Sequence, residues 1–223
     1  MKLSIVIPFY NEENMIQKMY DALVAEVNKI TKAEFEIIFI NDGSKDRTFE
    51  KMLAIAEGDS RVKYISFSRN FGKEAGTIAG LEYATGEAVI LMDGDLQHPP
   101  ALLPQMIEAY EEGYDVVSAR RTRTGEKPHR TFLAKHFYRL ANKMMDIELM
   151  DGVSEFRLFS RKAVRAILSL QEYNRFSKGI FSWIGFKEKV IEYENQVRTV
   201  GETKYSLKFS LNYAIQGILS FND

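Results

Sequence analysis

Residues 87–100 read EAVILMDGDLQHPP, an apolar run that ends in a polar stretch and two prolines. A run such as AVILM is typical of a strand buried on both faces of a sheet. The polar stretch then places Asp93, Asp95 and Gln97 at every second position, so in an extended chain their side chains point the same way. Gly94 between them would let a ligand approach the backbone closely. The sequence therefore predicts a buried strand with a ligand site at its end.

The side chains of this stretch indicate which ligand to expect. Two carboxylates held this close repel each other unless a cation lies between them. Oxygen ligands from two carboxylates and an amide suit Mg²⁺ or Mn²⁺, which also keep coordination positions for phosphate oxygens. The predicted metal ligands are Asp93, Asp95 and Gln97. His98 is left out because in an extended chain it points to the opposite face from Asp95 and Gln97.

Similar apolar runs recur along the first half of the chain. The predicted strands are 3–8, 35–41, 62–67, 87–93 and 114–120. Helical spacing of apolar residues predicts helices over 12–29, 46–56, 73–84 and 99–112. Apolar strands that alternate with helices predict an α/β fold with a mostly parallel sheet covered on both faces. Ligands of such folds bind where the carboxyl ends of the strands open.

Composition excludes several classes of protein. The 223 residues include no cysteine, so disulfide frameworks, thiolate nucleophiles and cysteine-ligated zinc are excluded. A net charge of −1 argues against a general nucleic-acid binder. The chain has no apolar stretch of the roughly 18 to 20 residues that span a bilayer, so any membrane contact is expected to be peripheral.

Six motifs of the chain resemble those of family-2 inverting glycosyltransferases of the GT-A fold. They are IVIPFYNEE, FINDGSKDRT, SRNFGKEAG, MDGDLQHPP, SEFRLFSR and GETKYSL. The polyprenyl-phosphate hexosyltransferase branch of that family is the most similar. The resemblance implies one domain, with a nucleotide-sugar binding half at 1–120 and an acceptor half at 121–200. The tail at 201–223 is amphipathic, and its apolar face is expected either to lie on the membrane or to dock on the domain.

The resemblance also implies a donor site for a nucleotide-diphosphate sugar, with UDP-glucose preferred and GDP-mannose second. The residues it assigns to donor binding are Pro8, Tyr10, Glu12, Asp42, Lys73 and Asp93. Asp95 matches the position that contacts the metal and the pyrophosphate directly, and Gln97 completes that site. A cation bound there would stabilise the charge that builds on the leaving diphosphate.

Basic residues are concentrated in segment 120–143, where eight lysines and arginines accompany the single acid Glu126. A solvated helix face explains part of such a run. The resemblance implies instead that the acceptor is a polyprenyl phosphate. The residues assigned to the acceptor phosphate are Arg120, Arg130, Lys135 and Arg175. Other basic residues would contact anionic lipid headgroups.

The block DGVSEFR at 151–157 falls where the family has a catalytic or acceptor-orienting carboxylate. The usual form of this motif is D-F-R, so Glu155 replaces the aspartate and Asp151 is a second candidate. If the acceptor is a sugar hydroxyl, Glu155 is the predicted general base. A polyprenyl phosphate is already ionised near pH 7, and the carboxylate would then orient Arg157 or the acceptor. A structural pairing of Glu155 with Arg157 is the remaining alternative.

Two further features carry expectations about packing. Gly72, Gly76 and Gly80 share one helix face; Gly72 is expected to border the donor, and the other two are expected to let the helix pack closely on the sheet. Trp183 lies among apolar neighbours and is predicted to belong to the core rather than to stack on a sugar.

The family resemblance and the predicted metal site together imply a metal-dependent inverting glycosyltransferase at the cytoplasmic face of the membrane. It would transfer a hexose from the nucleotide donor to a polyprenyl phosphate, without a nucleic-acid partner; a homo-oligomer is left open. Transfer to a saccharide or lipid hydroxyl is the nearest alternative, and a non-catalytic nucleotide-sugar binding protein is the alternative of another class. The sequence QEYNRF does not match the Q-x-x-R-W of processive members, so single transfer is predicted.

Overall fold

Strands that are mostly apolar form one central sheet in the computed structural model, which describes residues 1–122, 142, 150, 152–170 and 176–194. The strands in that part of the chain are β1 Lys2–Phe9, β2 Glu34–Asn41, β3 Val62–Ser66, β4 Ala88–Leu91, β5 Val116–Arg121, β6 Val153–Ser160 and β7 Glu188–Tyr193. The helices are α1 Ile16–Val27, α2 Thr48–Gly58, α3 Lys73–Tyr83, α4 Leu103–Glu111, α5 Arg161–Ser169 and α6 Ser177–Trp183, and a 3-10 turn at Pro100–Leu102 precedes α4.

The order of the strands is β3-β2-β1-β4-β6-β5-β7. Strand β6 is antiparallel to both of its neighbours, and every other strand pair in the described residues is parallel. The predicted α/β fold with a mostly parallel sheet is therefore confirmed. All five predicted strands and four predicted helices are present, with ends that differ by a few residues. Strands β6 and β7 and helices α5 and α6 were not predicted.

Apolar side chains alternate between the two faces of the sheet and build a core on each. On β1, Ile5 and Ile7 contribute to the core under α1 and α4, whereas Val6 points to the core under α3, α5 and α6. All three are fully buried. This explains why the strands read as nearly continuous apolar runs, since both faces of the sheet are covered by helices.

Helix α3 lies unusually close to the sheet because glycines face it. A Cβ atom added to Gly80 would overlap the side chain of Val6 on β1. One added to Gly76 would lie 3.5 Å from side-chain atoms of Pro8 and Ile40. The predicted packing role is confirmed for Gly80, whereas at Gly76 a Cβ atom would make only ordinary van der Waals contact, so a glycine is not required there. The close packing fixes the position of the first turn of α3, at the carboxyl edge of the strands.

The expectations for Trp183 and for membrane-spanning segments can be compared with the structure. Trp183, at the end of α6, is 56% exposed, so the prediction that it belongs to the core was wrong. Phe181, two residues earlier on the same helix, is buried against Phe159 instead. Phe181 and Trp183 differ because residues two positions apart face nearly opposite sides of a helix. Among the described residues, the helices are all too short or too polar to cross a bilayer.

A buried carboxylate holds the amino-terminal edge of the sheet together. Glu36 on β2 is 3% exposed and accepts hydrogen bonds from the hydroxyl of Ser4 at 2.5 Å and from the backbone N–H of Thr85 at 2.6 Å. Lys63 on β3 lies 2.7 Å away. Burial raises the pKa of Glu36, but the hydrogen bonds from Lys63, Ser4 and Thr85 outweigh it and hold the pKa well below its ordinary value.

Replacing this carboxylate should destabilise the protein at neutral pH. For Glu36→Gln we expect the free energy of unfolding in urea to fall by about 2 kcal/mol, because charge-assisted hydrogen bonds in a buried site are lost. Glu50→Gln is the matched control, since Glu50 forms an exposed ion pair with Arg47 and should change stability little.

The same carboxylate should make stability depend on acid. Because the folded-state pKa of Glu36 is lowered, its contribution is present above about pH 4.5 and is lost as the pH falls below that value. The difference in unfolding free energy between wild type and Glu36→Gln should therefore shrink between pH 7 and pH 3. A difference that stays constant over this range would contradict the assignment.

Candidate active site

The antiparallel direction of β6 brings its amino-terminal end to the carboxyl edge of the parallel strands. Leu91 on β4 pairs with Arg157 on β6. Continuing this register by two residues places Asp93 opposite Glu155. The carboxylate predicted for the donor side and the one predicted for the acceptor side thus meet at one edge of the sheet, although 62 positions separate them in the sequence.

Lys73, the first residue of α3, connects these two carboxylates. Its Nζ atom lies 2.5 Å from Oδ1 of Asp93 and 2.6 Å from Oε2 of Glu155. The Lys73 side chain is 33% exposed and that of Glu155 is 17% exposed. Burial disfavours the charged ammonium, but the two carboxylates outweigh it and hold the pKa of Lys73 well above its ordinary value. The ammonium is therefore charged at any physiological pH.

The chain turns within the D-G-D stretch instead of staying extended. Leu96 has a φ of 58°, in the left-handed region. The turn lets Asp95 accept hydrogen bonds from the backbone N–H of Gln97 at 3.1 Å and from its side-chain Nε2 at 2.7 Å. The assumption of an extended chain was wrong here. Asp95 and Gln97 lie together, whereas Asp93 is directed to Lys73.

Gly94 is required by packing in this turn. A Cβ atom at Gly94 would overlap the ring of Phe9, which is buried at the end of β1. Phe9 in turn packs edge-on against Phe39 of β2, with ring centroids 5.3 Å apart. The glycine was expected to admit a ligand to the backbone, and the structure gives it a role in close packing against Phe9.

His98 supports the stretch from beneath. The side chain is 6% exposed, and its ring stacks on Phe156 with centroids 5.5 Å apart. Its Nδ1 atom accepts a hydrogen bond from the backbone N–H of Asp93 at 3.2 Å. Burial lowers the pKa of His98, only partly opposed by Asp93, so the ring is neutral with its proton on Nε2. Sequence patterning missed this function, because no periodicity marks a histidine that binds a backbone group.

The residues predicted to contact the nucleoside lie together at the ends of β1 and β2. Pro8 lies on β1, and Tyr10 and Glu12 follow that strand. Asp42 follows β2 and donates its backbone N–H to the carbonyl oxygen of Phe9 at 3.0 Å. The structure thus brings the four residues to one edge of the sheet. Their contacts with a nucleotide stay a prediction.

The carboxylate of Asp42 fixes the loop that leads into α3. Its oxygens accept the backbone N–H groups of Phe71 at 2.7 Å and of Gly72 at 3.0 Å. Asp42 is 3% exposed, and burial raises its pKa although the two N–H groups oppose that shift. Gly72 has a φ of 95°, a conformation that favours glycine. Gly72 thus lies beside Asp42 at the edge where the donor is predicted, and its contact with a donor stays a prediction.

The second residue of α3, Glu74, contacts helix α6. Glu74 accepts hydrogen bonds from the hydroxyl and, at 3.4 Å, from the backbone N–H of Ser177, the first residue of α6. Consecutive residues 71–74 therefore contact Asp42, the carboxylate pair and α6 in turn. A short segment of chain ties the predicted donor side to the predicted acceptor side.

Arg157 lies beneath this site and not in it. The side chain is 3% exposed and its guanidinium lies over the ring of Phe181, 5.2 Å from the centroid. Its Nη1 atom is 3.7 Å from Glu188 and has no hydrogen-bond acceptor among the residues that the structure describes. Burial lowers the pKa of Arg157, opposed by Glu188 and Glu155. The alternative in which Glu155 pairs with Arg157 is not what the structure shows, since Glu155 pairs with Lys73.

Comparison with known proteins establishes the family. Residues 4–168 match Glycosyl transferase family 2. The chain belongs to this family. It is a glycosyltransferase, as predicted. It is 50% identical over 220 residues to the putative glycosyltransferase CsbB of Bacillus subtilis, covering 99% of this chain and 67% of that protein. It is 42% identical over 223 residues to a prophage bactoprenol glucosyl transferase homolog of Escherichia coli, covering 100% of this chain and 72% of that protein.

Solved structures confirm the GT-A fold of this glycosyltransferase. Glucosyl-3-phosphoglycerate synthase of Mycobacterium tuberculosis superposes with a TM-score of 0.63 at 18% identity, over 100% of this chain and 82% of that one. A mannosyltransferase of Pyrobaculum calidifontis, solved with GDP-Man and Mn²⁺, gives a TM-score of 0.62 at 18% identity, over 85% of this chain and 54% of that one. At such identities the likeness concerns the fold alone.

Several predicted site residues of the glycosyltransferase lie outside the described residues: Asp151, Arg130, Lys135 and Arg175. The tail at 201–223 also lies outside them. Arg120 is described, near the end of β5, where its guanidinium pairs with Glu192 of β7. An acceptor phosphate would have to share or replace that partner.

The side chains at the end of β4 fit a divalent ion that also binds a ligand phosphate. No lysine, arginine or histidine of the described residues forms a salt bridge with Asp95. Nor does the described part of the chain contain three acidic, histidine or cysteine side chains arranged around a common metal position. One or two carboxylates with an amide are the donor set of Mg²⁺ sites that are completed by substrate phosphates and water.

His98 offers a test of how this site is held in place. His98→Phe keeps a ring against Phe156 but removes the acceptor of the Asp93 N–H. We expect the free energy of unfolding to fall by about 1 to 3 kcal/mol, because a partly buried donor is left without a partner. Calorimetry should also show weaker metal-dependent UDP binding, since the backbone of Asp93 is no longer held.

His98→Asn provides the comparison variant, because its carbonyl oxygen can accept the same hydrogen bond although the stacking is lost. It should recover part of the UDP affinity that the phenylalanine variant loses. Wild-type UDP affinity in His98→Phe would show that the hydrogen bond to Asp93 has no role in the site.

Proposed function

We propose that this glycosyltransferase moves a hexose, glucose in the first instance, from a nucleotide diphosphate to a polyprenyl phosphate at the cytoplasmic face of the membrane. The observation that carries the proposal is the meeting of Asp93 and Glu155 at Lys73, where β4 and β6 lie side by side and next to the turn that bears Asp95. Relatives named bactoprenol glucosyl transferase, 42% identical over the whole chain, support the lipid acceptor and the glucosyl donor.

The donor side would lie over β1, β2 and β4, within residues 1–120. Pro8, Tyr10, Glu12 and Asp42 would hold the nucleoside. Mg²⁺ or Mn²⁺ held by Asp93, Asp95 and Gln97 would neutralise charge on the leaving diphosphate. The protein supplies orientation, because Asp95 is fixed by Gln97 and Asp93 by His98 and Lys73. UDP-glucose is the preferred donor and GDP-mannose the second.

The acceptor side would lie beyond Glu155, in residues 121–200, with the tail at 201–223 in contact with the membrane. A phosphate acceptor is already ionised, so it can attack C1 of the sugar opposite the leaving diphosphate and give the inverted, β-linked product. Glu155, or Asp151, would then orient the acceptor rather than remove a proton. The basic residues proposed to bind its phosphate are Arg120, Arg130, Lys135 and Arg175. Arg157 would support Glu155 from below.

Product formation tests the proposal directly. The protein is incubated with Mn²⁺ or Mg²⁺, a labelled nucleotide sugar and a short-chain polyprenyl phosphate, and extracted lipid is counted. Labelled lipid is expected with UDP-glucose and only when metal is present. Asp95→Asn should lose the metal-dependent binding of UDP, whereas Asp21→Asn, an exposed change on α1, should bind as wild type does. Absence of labelled lipid with every donor, or retained metal-dependent binding in Asp95→Asn, would refute the proposal.

Glu155 distinguishes the two acceptor classes, because its position beside Asp93 also suits a general base. With a hydroxyl acceptor, Glu155→Gln should lower turnover by about 10² to 10⁴, the usual contribution of general base catalysis. With a phosphate acceptor we expect a loss below about tenfold, since no proton has to be removed. Turnover is measured with a polyprenyl phosphate and with the matching alcohol. A large loss with the phosphate would show that the carboxylate has a further role in that reaction.

A further inference from the structure

Lys73 occupies the position that a cation would take between two carboxylates. The ammonium lies 2.5 Å from Asp93 and 2.6 Å from Glu155, each through one oxygen atom. The three residues come from α3, from the end of β4 and from β6, so the contact forms only in the folded chain. A single charge inside the protein thus bridges the donor-side and acceptor-side carboxylates.

The surroundings of Lys73 hold its backbone firmly. The residue before it is held by Asp42, through the N–H of Gly72 at 3.0 Å, and the residue after it is bonded to Ser177. A lysine at the first position of a helix is unfavourable by itself, because the helix dipole places positive charge there. The contacts with Asp93 and Glu155 outweigh this unfavourable interaction with the helix dipole. Local helix propensity therefore does not explain why a lysine stands at this position, whereas the carboxylate pair does.

The balance of charge leaves a deficit that one divalent ion would neutralise. Asp93, Asp95 and Glu155 contribute three formal negative charges and Lys73 one formal positive charge, so these four side chains have a net formal charge of −2. The gap between Asp93 and Glu155 is filled by the ammonium. The carboxylate of Asp95, with the amide of Gln97 beside it, is the one without a salt bridge in the described part of the chain.

We propose that Lys73 is a resident counter-cation that excludes free metal from the gap between Asp93 and Glu155. A divalent ion then binds tightly only outside this gap, on the side of Asp93 toward Asp95 and Gln97, and together with the diphosphate of the donor, whose oxygens supply the ligands that the gap withholds. Lys73 also keeps the two carboxylates from repelling each other before the donor arrives. This inference rests on the proposed metal site at Asp95.

Binding of Mn²⁺ alone, measured from the electron paramagnetic resonance signal of the free ion, tests the inference without turnover. Wild type should bind free Mn²⁺ weakly. Lys73→Met should bind it at least about tenfold more tightly, because a contacting positive charge is removed from two carboxylates. Lys73→Arg keeps the charge and should show no such gain. Lys32→Met, which removes an exposed lysine paired with Glu111, makes the same change in net charge and should leave Mn²⁺ affinity unchanged.

A double variant tests whether the extra Mn²⁺ affinity arises in the gap between Asp93 and Glu155. Adding Glu155→Gln to Lys73→Met should remove the increased Mn²⁺ affinity, because the gap then has only one carboxylate. Lys73→Gln, which has polar character, should give the same gain as Lys73→Met and serves if the methionine variant does not fold by circular dichroism. Tight binding of free Mn²⁺ by wild type, or no gain in the neutral Lys73 variants, would overturn the inference.

Nucleotide binding separates failure of this inference from failure of the proposed function. UDP affinity of the wild type is measured with and without Mn²⁺. If Mn²⁺ does not strengthen UDP binding, the metal site itself is wrong and the inference is overturned with it. If Mn²⁺ strengthens UDP binding but the neutral Lys73 variants show no gain for Mn²⁺ alone, the role of Lys73 is overturned and the metal site stands.

Discussion

Strand β6 runs against its two neighbours, and the site depends on that direction. A parallel strand in its place would present its carboxyl end, and Glu155, which lies near its start, would be at the far edge of the sheet. The antiparallel pairing with β4 instead brings Glu155 opposite Asp93. The same strand carries Arg157 and Phe159, two and four residues after Glu155 on the same face of the sheet, where both pack against α6. One reversal of strand direction thus positions Glu155, the carboxylate predicted for the acceptor side, next to Asp93.

The first turn of α3 complements this arrangement from the other side. Gly80 lets α3 pack closely against β1, so the helix that carries this turn cannot shift far toward the sheet without displacing Val6. Within it, consecutive residues bind Asp42, then Asp93 and Glu155, then Ser177. One short segment of chain therefore connects the predicted donor side to the predicted acceptor side through direct contacts.

The buried carboxylates at the two edges of the sheet differ in how many partners they have. At the amino-terminal edge Glu36 is satisfied by Ser4, Thr85 and two lysines, and its role is structural. At the carboxyl edge Asp93 and Glu155 both contact the ammonium of Lys73, and Asp95 has only Gln97 as a neighbour in hydrogen-bond contact among the described residues. An excess of negative charge in a partly buried place is costly unless a cationic ligand completes it. The contrast separates a folding element from a binding element that use the same kind of side chain.

The sequence by itself determined the alternation of strands and helices, the packing of Gly80, and the clustering of polar residues after the strands, because each depends on local periodicity. Only the tertiary structure decided that β6 is a strand and runs antiparallel, since it begins in a polar motif and its partners are distant in sequence. It also decided that Leu96 turns the chain, that Trp183 is exposed, and that Lys73 contacts both Asp93 and Glu155. These features arise from contacts between residues far apart in the chain, which no local pattern encodes.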